Sequence, residues 1–155
     1  MNNFKNQTIE INCDFDGTVV THDYPRVGHD IGAVEVLKKL VARGHRLILF
    51  TMRSDGSNFT KLDGTVDNHG LTDAVNWFKN NGIPLYGIQT NPTQKNWTTS
   101  PKSYAPLMID DSALGCPLKL DPSISPRPFV DWVKVEEMLI ERGLLWNKKS
   151  VLTSS

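Results

Sequence analysis

Short apolar runs that stop at polar or acidic residues constrain this chain more than any other feature. Each run has the length of a strand rather than of a helix, so we predict strands. Apolar residues recur at helical spacing between the runs, and an alternation of strands and helices predicts a parallel sheet covered on both faces. The runs and the polar residues that follow them are 8–13 with Asp14 and Asp16, 47–50 with Thr51, and 106–109 with Asp110 and Asp111.

Three helices and a weaker strand complete the predicted elements. Each helix is recognised by its apolar spacing together with a residue that caps or stops it. The helices are predicted over 31–41 with Asp30 as N-cap and Gly44 as stop, over 71–78, and over about 131–142; the weaker strand covers 84–89.

The carboxyl ends of neighbouring parallel strands meet at one edge of a sheet, where ligands of such folds bind. The acidic residues that follow the first and the last strand should therefore gather there. Like charges repel and burial penalises ionised carboxylates, so a cluster of this kind needs a cation. The sequence thus predicts a metal site, and oxygen ligands favour a hard divalent ion such as Mg²⁺.

Composition narrows the classes of function. The 155 residues include 17 basic and 17 acidic side chains, so the formal net charge is zero and gives no signal for nucleic acid or an anionic membrane. No apolar run approaches the roughly 20 residues of a membrane span. Two cysteines are too few for a disulfide framework, and the cytoplasm is the expected compartment.

Residues 1–143 are predicted to form one domain and residues 144–155 a disordered tail.

Four motifs in this order resemble the haloacid dehalogenase superfamily of phosphohydrolases. The first is an Asp-x-Asp-Gly-Thr sequence after a strand, and the second is an apolar strand that ends in Thr or Ser. The third is a lysine before the fourth strand, and the fourth is an acidic pair after that strand. In this chain they are Asp14-Phe15-Asp16-Gly17-Thr18, Thr51, Lys102 with Lys95 as the weaker rival, and Asp110-Asp111.

The resemblance implies a three-layer, Rossmann-like fold and a phosphatase that works through an aspartyl-phosphate. Asp14 would be the nucleophile and Asp16 the general acid and base. Mg²⁺ would be held by Asp14, the backbone carbonyl of Asp16, Asp110 and Asp111. Thr51 and Lys102 would hold the phosphoryl oxygens.

Neither gap between the motifs has room for the cap domain that many members insert. An open site of this kind suits a sugar phosphate, a nucleotide or a larger phosphorylated molecule, or it is closed by a neighbouring subunit of a homo-oligomer. A phosphotransferase and a catalytically silent phosphate-binding or interaction module are the alternative functions. The pair of Asp14 and Asp16 favours an enzyme, because binding alone does not need an acid and base.

Several other residues admit two interpretations. Arg53, two residues after Thr51, could bind a second anionic group of a substrate or pair internally with Asp55 or Asp63. The loop from residue 52 to residue 70 is rich in Gly, Asn and Ser and is predicted to be mobile and polar. The four histidines show no metal-ligand spacing and are predicted to lie in loops or on the surface.

Overall fold

A four-stranded parallel sheet forms the centre of the protein. The structure, a computed structural model, describes residues 4–60, 62–64 and 66–147. Strand β1 (Glu10–Cys13) lies between β2 (Arg46–Leu49) and the later strand β6 (Leu107–Ile109), and β5 (Gly87–Ile88) pairs with the other side of β2. Cys13 is in register with both Leu49 and Ile109, so the three strands end at the same level. The predicted parallel sheet is confirmed.

The three predicted helices are present, and each begins or ends where the sequence indicates. They are α1 (Ala33–Ala42), α2 (Gly70–Asn80) and α3 (Trp132–Glu141). The N-cap of α1 is Gly32 rather than the predicted Asp30, although Asp30 Oδ1 accepts hydrogen bonds from the first two N–H groups of the helix. Asp131 is the N-cap of α3 and accepts from Lys134 N–H. No helix of the described residues is long and apolar enough to cross a membrane.

The segment after Thr51 differs from the mobile polar loop that the sequence predicts. It forms an antiparallel hairpin of β3 (Asp55–Thr60) and β4 (Val66–His69), which leads directly into α2. Asp55 receives hydrogen bonds from the backbone N–H and the hydroxyl of Thr72 and so ties the hairpin to that helix. The prediction failed because polar strands carry no apolar periodicity.

Short elements of two or three residues lie in the connections. A 3₁₀ helix (Gln94–Asn96) lies between β5 and β6. Strands β7 (Leu118–Lys119) and β8 (Phe129–Val130) pair with each other at the two ends of the proline-rich segment before α3. Two-residue strands are too short for periodicity to reveal them.

The predicted boundary of the domain at residue 143 is wrong by at least two residues. Leu144 and Leu145 are buried in the core instead of belonging to a disordered tail. Arg43 lies over the ring of Trp146, 3.8 Å from its centroid. Residues 148–155 of the predicted tail lie outside the described part of the chain.

His45 explains how the C-terminal segment is attached. It lies in the loop between α1 and β2, one of its two predicted locations, but its side chain is buried rather than on the surface. The ring is buried, accepts a hydrogen bond at Nδ1 from Ile9 N–H (3.2 Å) and donates from Nε2 to Leu144 C=O (2.8 Å). Burial, the largest cause, lowers the pKa of His45, so the ring is neutral. One imidazole thus joins the chain before β1 to the chain after α3.

We expect His45→Ala to lower the free energy of unfolding by about 2–4 kcal/mol, because two buried backbone groups lose their partner. His29→Ala is the control, since that side chain is exposed and should change the value by less than about 0.5 kcal/mol. Urea unfolding of both variants at pH 7.5 makes the comparison. Equal losses would place the contribution of His45 elsewhere than in these two bonds.

Candidate functional site

Asp14 is placed at the centre of the sheet edge by continued strand pairing. Its N–H donates to Ile109 C=O of β6 (3.0 Å), and Cys13 C=O accepts from Phe50 N–H just beyond β2 (2.8 Å). The chain therefore leaves the sheet only after Asp14. The carboxyl group of Asp14 lies where the neighbouring strands end.

A tight turn follows, and Gly17 makes it possible. Phe15 C=O accepts hydrogen bonds from Thr18 N–H (3.1 Å) and Val19 N–H (2.9 Å), and Gly17 adopts a φ of +74°. A Cβ atom on Gly17 would lie 2.0 Å from His22 Nε2 and 2.7 Å from Asp111 Oδ2. Glycine is therefore required for both conformation and space.

Three carboxyl groups converge beside this turn. One oxygen each from Asp14, Asp110 and Asp111 lies within 4.8 Å of the others, a spacing that could hold a metal ion. We call these three residues the acidic cluster. The prediction that the ends of β1 and β6 bring acidic residues together is confirmed for Asp14, Asp110 and Asp111, whereas Asp16, the fourth predicted carboxylate, is not a member of the cluster.

Neighbouring polar groups orient each member of the acidic cluster. The buried Thr18 hydroxyl lies 2.7 Å from Asp14 Oδ2 and 3.2 Å from Asp111 Oδ1, and it accepts from Asp111 N–H. His22 Nε2 lies 3.1 Å from Asp111 Oδ2. The hydroxyl and the N–H of Ser112 both donate to Asp110 Oδ1. Such surrounding hydrogen bonds are typical of residues that orient metal ligands.

Burial and charge repulsion set the ionisation of Asp14. Burial, followed by the charge of Asp110 and the contact with Asp111, raises the pKa of Asp14 to about 7, against the opposing hydrogen bond from Thr18. A bound cation would favour the ionised form and so relieve the same repulsion. The donor set and its electrostatics both fit a hard divalent ion.

Asp16 faces a different partner from Asp14. The ring of the intervening Phe15 is fully buried, and the Asp16 carboxylate receives a two-point contact from Arg53. Arg53 Nε donates to Asp16 Oδ2 and Nη2 donates to Asp16 Oδ1, each at 2.7 Å. The two aspartates therefore have distinct surroundings, although one residue separates them in sequence.

Arg53 is not placed to bind a substrate, and its internal partner is neither Asp55 nor Asp63 as we had considered. Its side chain is only 1% exposed, and it is held by Asp16. The sequence prediction failed because spacing along the chain favoured near acidic residues, whereas Asp16 lies in the turn that follows the neighbouring strand β1.

Thr51 follows β2 and thus lies at the same edge as Asp14. Its Oγ1 accepts a hydrogen bond from Arg53 N–H at 3.1 Å, so the hydroxyl proton points away from that contact. Gln89 holds the backbone here, since its Oε1 accepts from Thr51 N–H and its Nε2 donates to Thr51 C=O. Gln89 itself has a φ of +64°, which is uncommon for a residue other than glycine.

Lys102 and Lys95 are both exposed and lie in the segment between β5 and β6. The structure brings neither ammonium into an ion pair in the described part of the chain. The backbone around Lys102 is nevertheless fixed, because the buried Gln94 donates to Ser100 C=O and Lys102 C=O. Asn12 of β1 donates to the next carbonyl, that of Ser103, at 3.0 Å.

Sequence reasoning missed several residues that support the site. His22 was predicted to be a loop or surface histidine, yet it contacts Asp111. Trp132 donates its indole N–H to Thr18 C=O at 2.7 Å and thereby holds the turn after Asp14. Gln89 and Gln94 look like ordinary polar loop residues in the sequence, and only their burial and contacts reveal their roles.

The fold and site define an α/β protein of Rossmann-like topology with an acidic cluster at the carboxyl edge of its sheet. A conserved protein encoded by a locus of Bacteroides thetaiotaomicron has a similar solved structure, with a TM-score of 0.65 and 31% sequence identity over 88% of this chain and 93% of that chain. The chain belongs to the same family as that conserved protein. No family model and no curated protein matches the sequence.

Gly17→Ala should displace His22 and the acidic cluster, because the added methyl group overlaps the imidazole. Gly115→Ala is a matched control, since Gly115 has a φ of +90° and nothing within 4 Å of the added atom. We expect Gly115→Ala to lower the free energy of unfolding by about 1–2 kcal/mol through backbone strain alone. Gly17→Ala should lower it by a larger amount, measured by urea unfolding. Similar values for the two would show that the turn has room for a side chain.

The raised pKa of Asp14 predicts a pH dependence of stability in metal-free protein. Between the ordinary carboxyl value of 3.8 and about 7 the folded state binds the extra proton, so the free energy of unfolding falls as pH rises. The Asp14 contribution amounts to about 1.4 kcal/mol per pH unit within that window. Asp14→Asn should therefore be more stable than wild type at pH 8 in EDTA, with a smaller difference at pH 5. A difference that is independent of pH would contradict the assignment.

Proposed function

We propose that the protein is a Mg²⁺-dependent phosphatase of the haloacid dehalogenase type, which cleaves phosphomonoesters through an aspartyl-phosphate. The observation that supports this most is the acidic cluster, in which a carboxyl group at the end of β1 meets two from the end of β6. The same edge carries Asp16 and Thr51, so five of the motif residues lie on three adjacent strand ends. The proposed fold includes the three-layer α/β/α order of that superfamily.

Asp14 is the proposed nucleophile. Its ionised carboxylate attacks phosphorus, the leaving oxygen departs, and the phosphoryl group is carried on Asp14 until water displaces it. Thr51 has a hydroxyl proton directed away from Arg53, which suits a bond to a phosphoryl oxygen. Lys102 is the proposed cation for the same group, with Lys95 as the rival. Bound Mg²⁺ would offset the negative charge of the phosphoryl group and the carboxylates.

The proposed ligands of Mg²⁺ are the three members of the acidic cluster and the backbone carbonyl of Asp16. Asp16 is also the proposed general acid and base, which protonates the leaving oxygen and then takes a proton from the attacking water. The two aspartates have different environments: Asp14 lies in the acidic cluster, where a bound cation would favour its ionised form, and Asp16 pairs with Arg53.

The substrate class follows from the shape of the chain around the site. The insertion after Thr51 is a small hairpin, and in the described residues neither long gap between motifs contains a separate cap domain. We therefore propose an open site for a sugar phosphate, a nucleotide or a larger phosphorylated molecule, acting in the cytoplasm, with closure by a second subunit as the alternative. A phosphotransferase uses the same residues and differs in the acceptor that takes the phosphoryl group.

Hydrolysis of an aryl phosphate with Mg²⁺ tests the proposal. Asp14→Asn should abolish activity, because no phospho-enzyme forms. Asp16→Asn should reduce kcat by about 10²–10⁴-fold, and by less for a leaving group that needs no proton. Asp23→Asn is the control, since Asp23 pairs with the exposed Arg26 (2.9 Å) and is not a member of the acidic cluster. Full activity of Asp14→Asn, or activity unchanged by EDTA, would contradict the proposal.

Metal binding provides a test that does not depend on finding a substrate. Mg²⁺ should raise the Tm of wild type, and Asp110→Asn should reduce that rise, because one oxygen ligand and one charge are lost. An equal rise in both proteins would show that the cation binds elsewhere. Metal binding without hydrolysis of any phosphorylated compound would favour the non-catalytic alternative.

A further inference from the structure

Every donor of the Arg53 guanidinium is engaged. Its five N–H bonds meet five acceptors: the two oxygens of Asp16 and the carbonyls of Pro25, Arg26 and Gly70, at distances of 2.7–3.4 Å. The guanidinium carbon also lies 5.0 Å from the centroids of the Phe15 and Tyr24 rings. The group is thus fixed from all sides.

Among the described residues, the side-chain contacts of Asp16 come from Arg53, on its buried side. The guanidinium side chain is 1% exposed, whereas the Asp16 side chain is 20% exposed. Each carboxylate oxygen keeps further lone pairs beyond the one used by Arg53. The ion pair therefore holds a carboxylate that remains accessible to a small molecule.

The backbone that carries Arg53 is itself held. Gln89 Nε2 donates to both Thr51 C=O (2.6 Å) and Arg53 C=O (3.1 Å). The loop after β2 is thereby tied to the end of β5, and the position of the guanidinium depends on packed strands rather than on a free loop.

A buried ion pair is not explained by stability alone. Desolvation of two charges offsets most of their attraction, so apolar residues of similar volume often serve a core as well or better. A planar, two-point contact does something else: it fixes the direction of the carboxylate plane. This property matters where a carboxyl group must meet a reacting atom, since a displacement of about 1 Å can reduce a rate about 10²-fold.

We infer that Arg53 is a positioning residue, which fixes the direction of the Asp16 carboxyl group, two residues after the proposed nucleophile, so that it can serve the leaving oxygen and the attacking water. The inference rests on the proposed phosphatase function. It replaces the earlier expectation that Arg53 touches the substrate. Lysine would keep the charge at this place but could not reproduce the planar fork.

A double-mutant cycle tests the inference with Arg53→Lys, Asp16→Asn and the double variant. Arg53→Lys should lower kcat for an alkyl phosphate about 10²-fold and change KM less than about 3-fold. Its effect should be smaller for a nitrophenyl phosphate, whose leaving group needs no proton. In the Asp16→Asn background the same change should lower kcat less than about 3-fold, because the residue that Arg53 serves is already gone.

Two further measurements separate positioning from folding. Arg46→Lys is the matched control: Arg46 begins β2 at the opposite edge of the sheet, pairs with Glu10 at 3.4 Å, and should leave kcat within about 2-fold. The Mg²⁺-induced rise in Tm should persist in Arg53→Lys, which shows that the acidic cluster is still formed.

The outcomes distinguish the two proposals. Three results would overturn the positioning role: kcat losses from Arg53→Lys and Asp16→Asn that multiply in the double variant, an effect of Arg53→Lys on KM alone, or no effect of Arg53→Lys. The phosphatase proposal would stand in each case, provided that the wild-type protein is active. Loss of the Mg²⁺ response in Arg53→Lys would overturn it in favour of a purely structural role. A wild-type protein that hydrolyses no phosphate ester would overturn the phosphatase proposal and this inference with it.

Discussion

Repulsion among carboxylates at one sheet edge is the constraint to which much of the polar structure responds. Parallel pairing of β1 with β6 brings Asp14 close to Asp110 and Asp111, and burial raises the pKa of Asp14 to about 7. The three carboxyl oxygens remain within 4.8 Å of one another, so their repulsion is not relieved by separation. Hydrogen bonds with Thr18, His22 and Ser112 surround the acidic cluster and orient its oxygens. Three carboxyl oxygens so arranged could hold a metal ion, whose charge would offset their repulsion.

The neighbouring Asp16 differs from the acidic cluster, because its carboxylate has a positively charged partner. Arg53 supplies a full positive charge and two hydrogen bonds at 2.7 Å, so this carboxylate is balanced within the protein. One turn therefore separates three clustered carboxyl groups from a carboxyl group that is paired with an arginine. The tight conformation at Gly17 produces this division, because it turns the chain within a few residues while the ring of Phe15 stays in the core.

The sequence predicted the parts of the fold and site that depend on local pattern. Apolar periodicity located β1, β2, β6 and the three helices, and strand order at the carboxyl edge led to the acidic cluster. It failed where contacts join distant segments. His45 contacts Leu144, ninety-nine residues away, and Trp132 contacts Thr18 across 114 residues; nothing in the local pattern marks either residue. The hairpin after Thr51 was not predicted because its polar strands lack apolar periodicity. The partner of Arg53 was not predicted because Asp16 lies in the turn after another strand, β1.

These long-range contacts converge on the short turn that follows Asp14. Thr18 receives the indole N–H of Trp132 on its carbonyl and places its hydroxyl between Asp14 and Asp111, while Gly17 C=O accepts from Val130 N–H at 3.0 Å. The turn is thus attached to the start of α3 and to β8, and Leu145 just beyond α3 is buried in the same core as β1. A change in the C-terminal segment would therefore reach the acidic cluster through backbone position rather than through charge. The geometry of this site therefore depends on several elements of the domain, since β8 binds the turn at Gly17 and α3 binds it at Thr18.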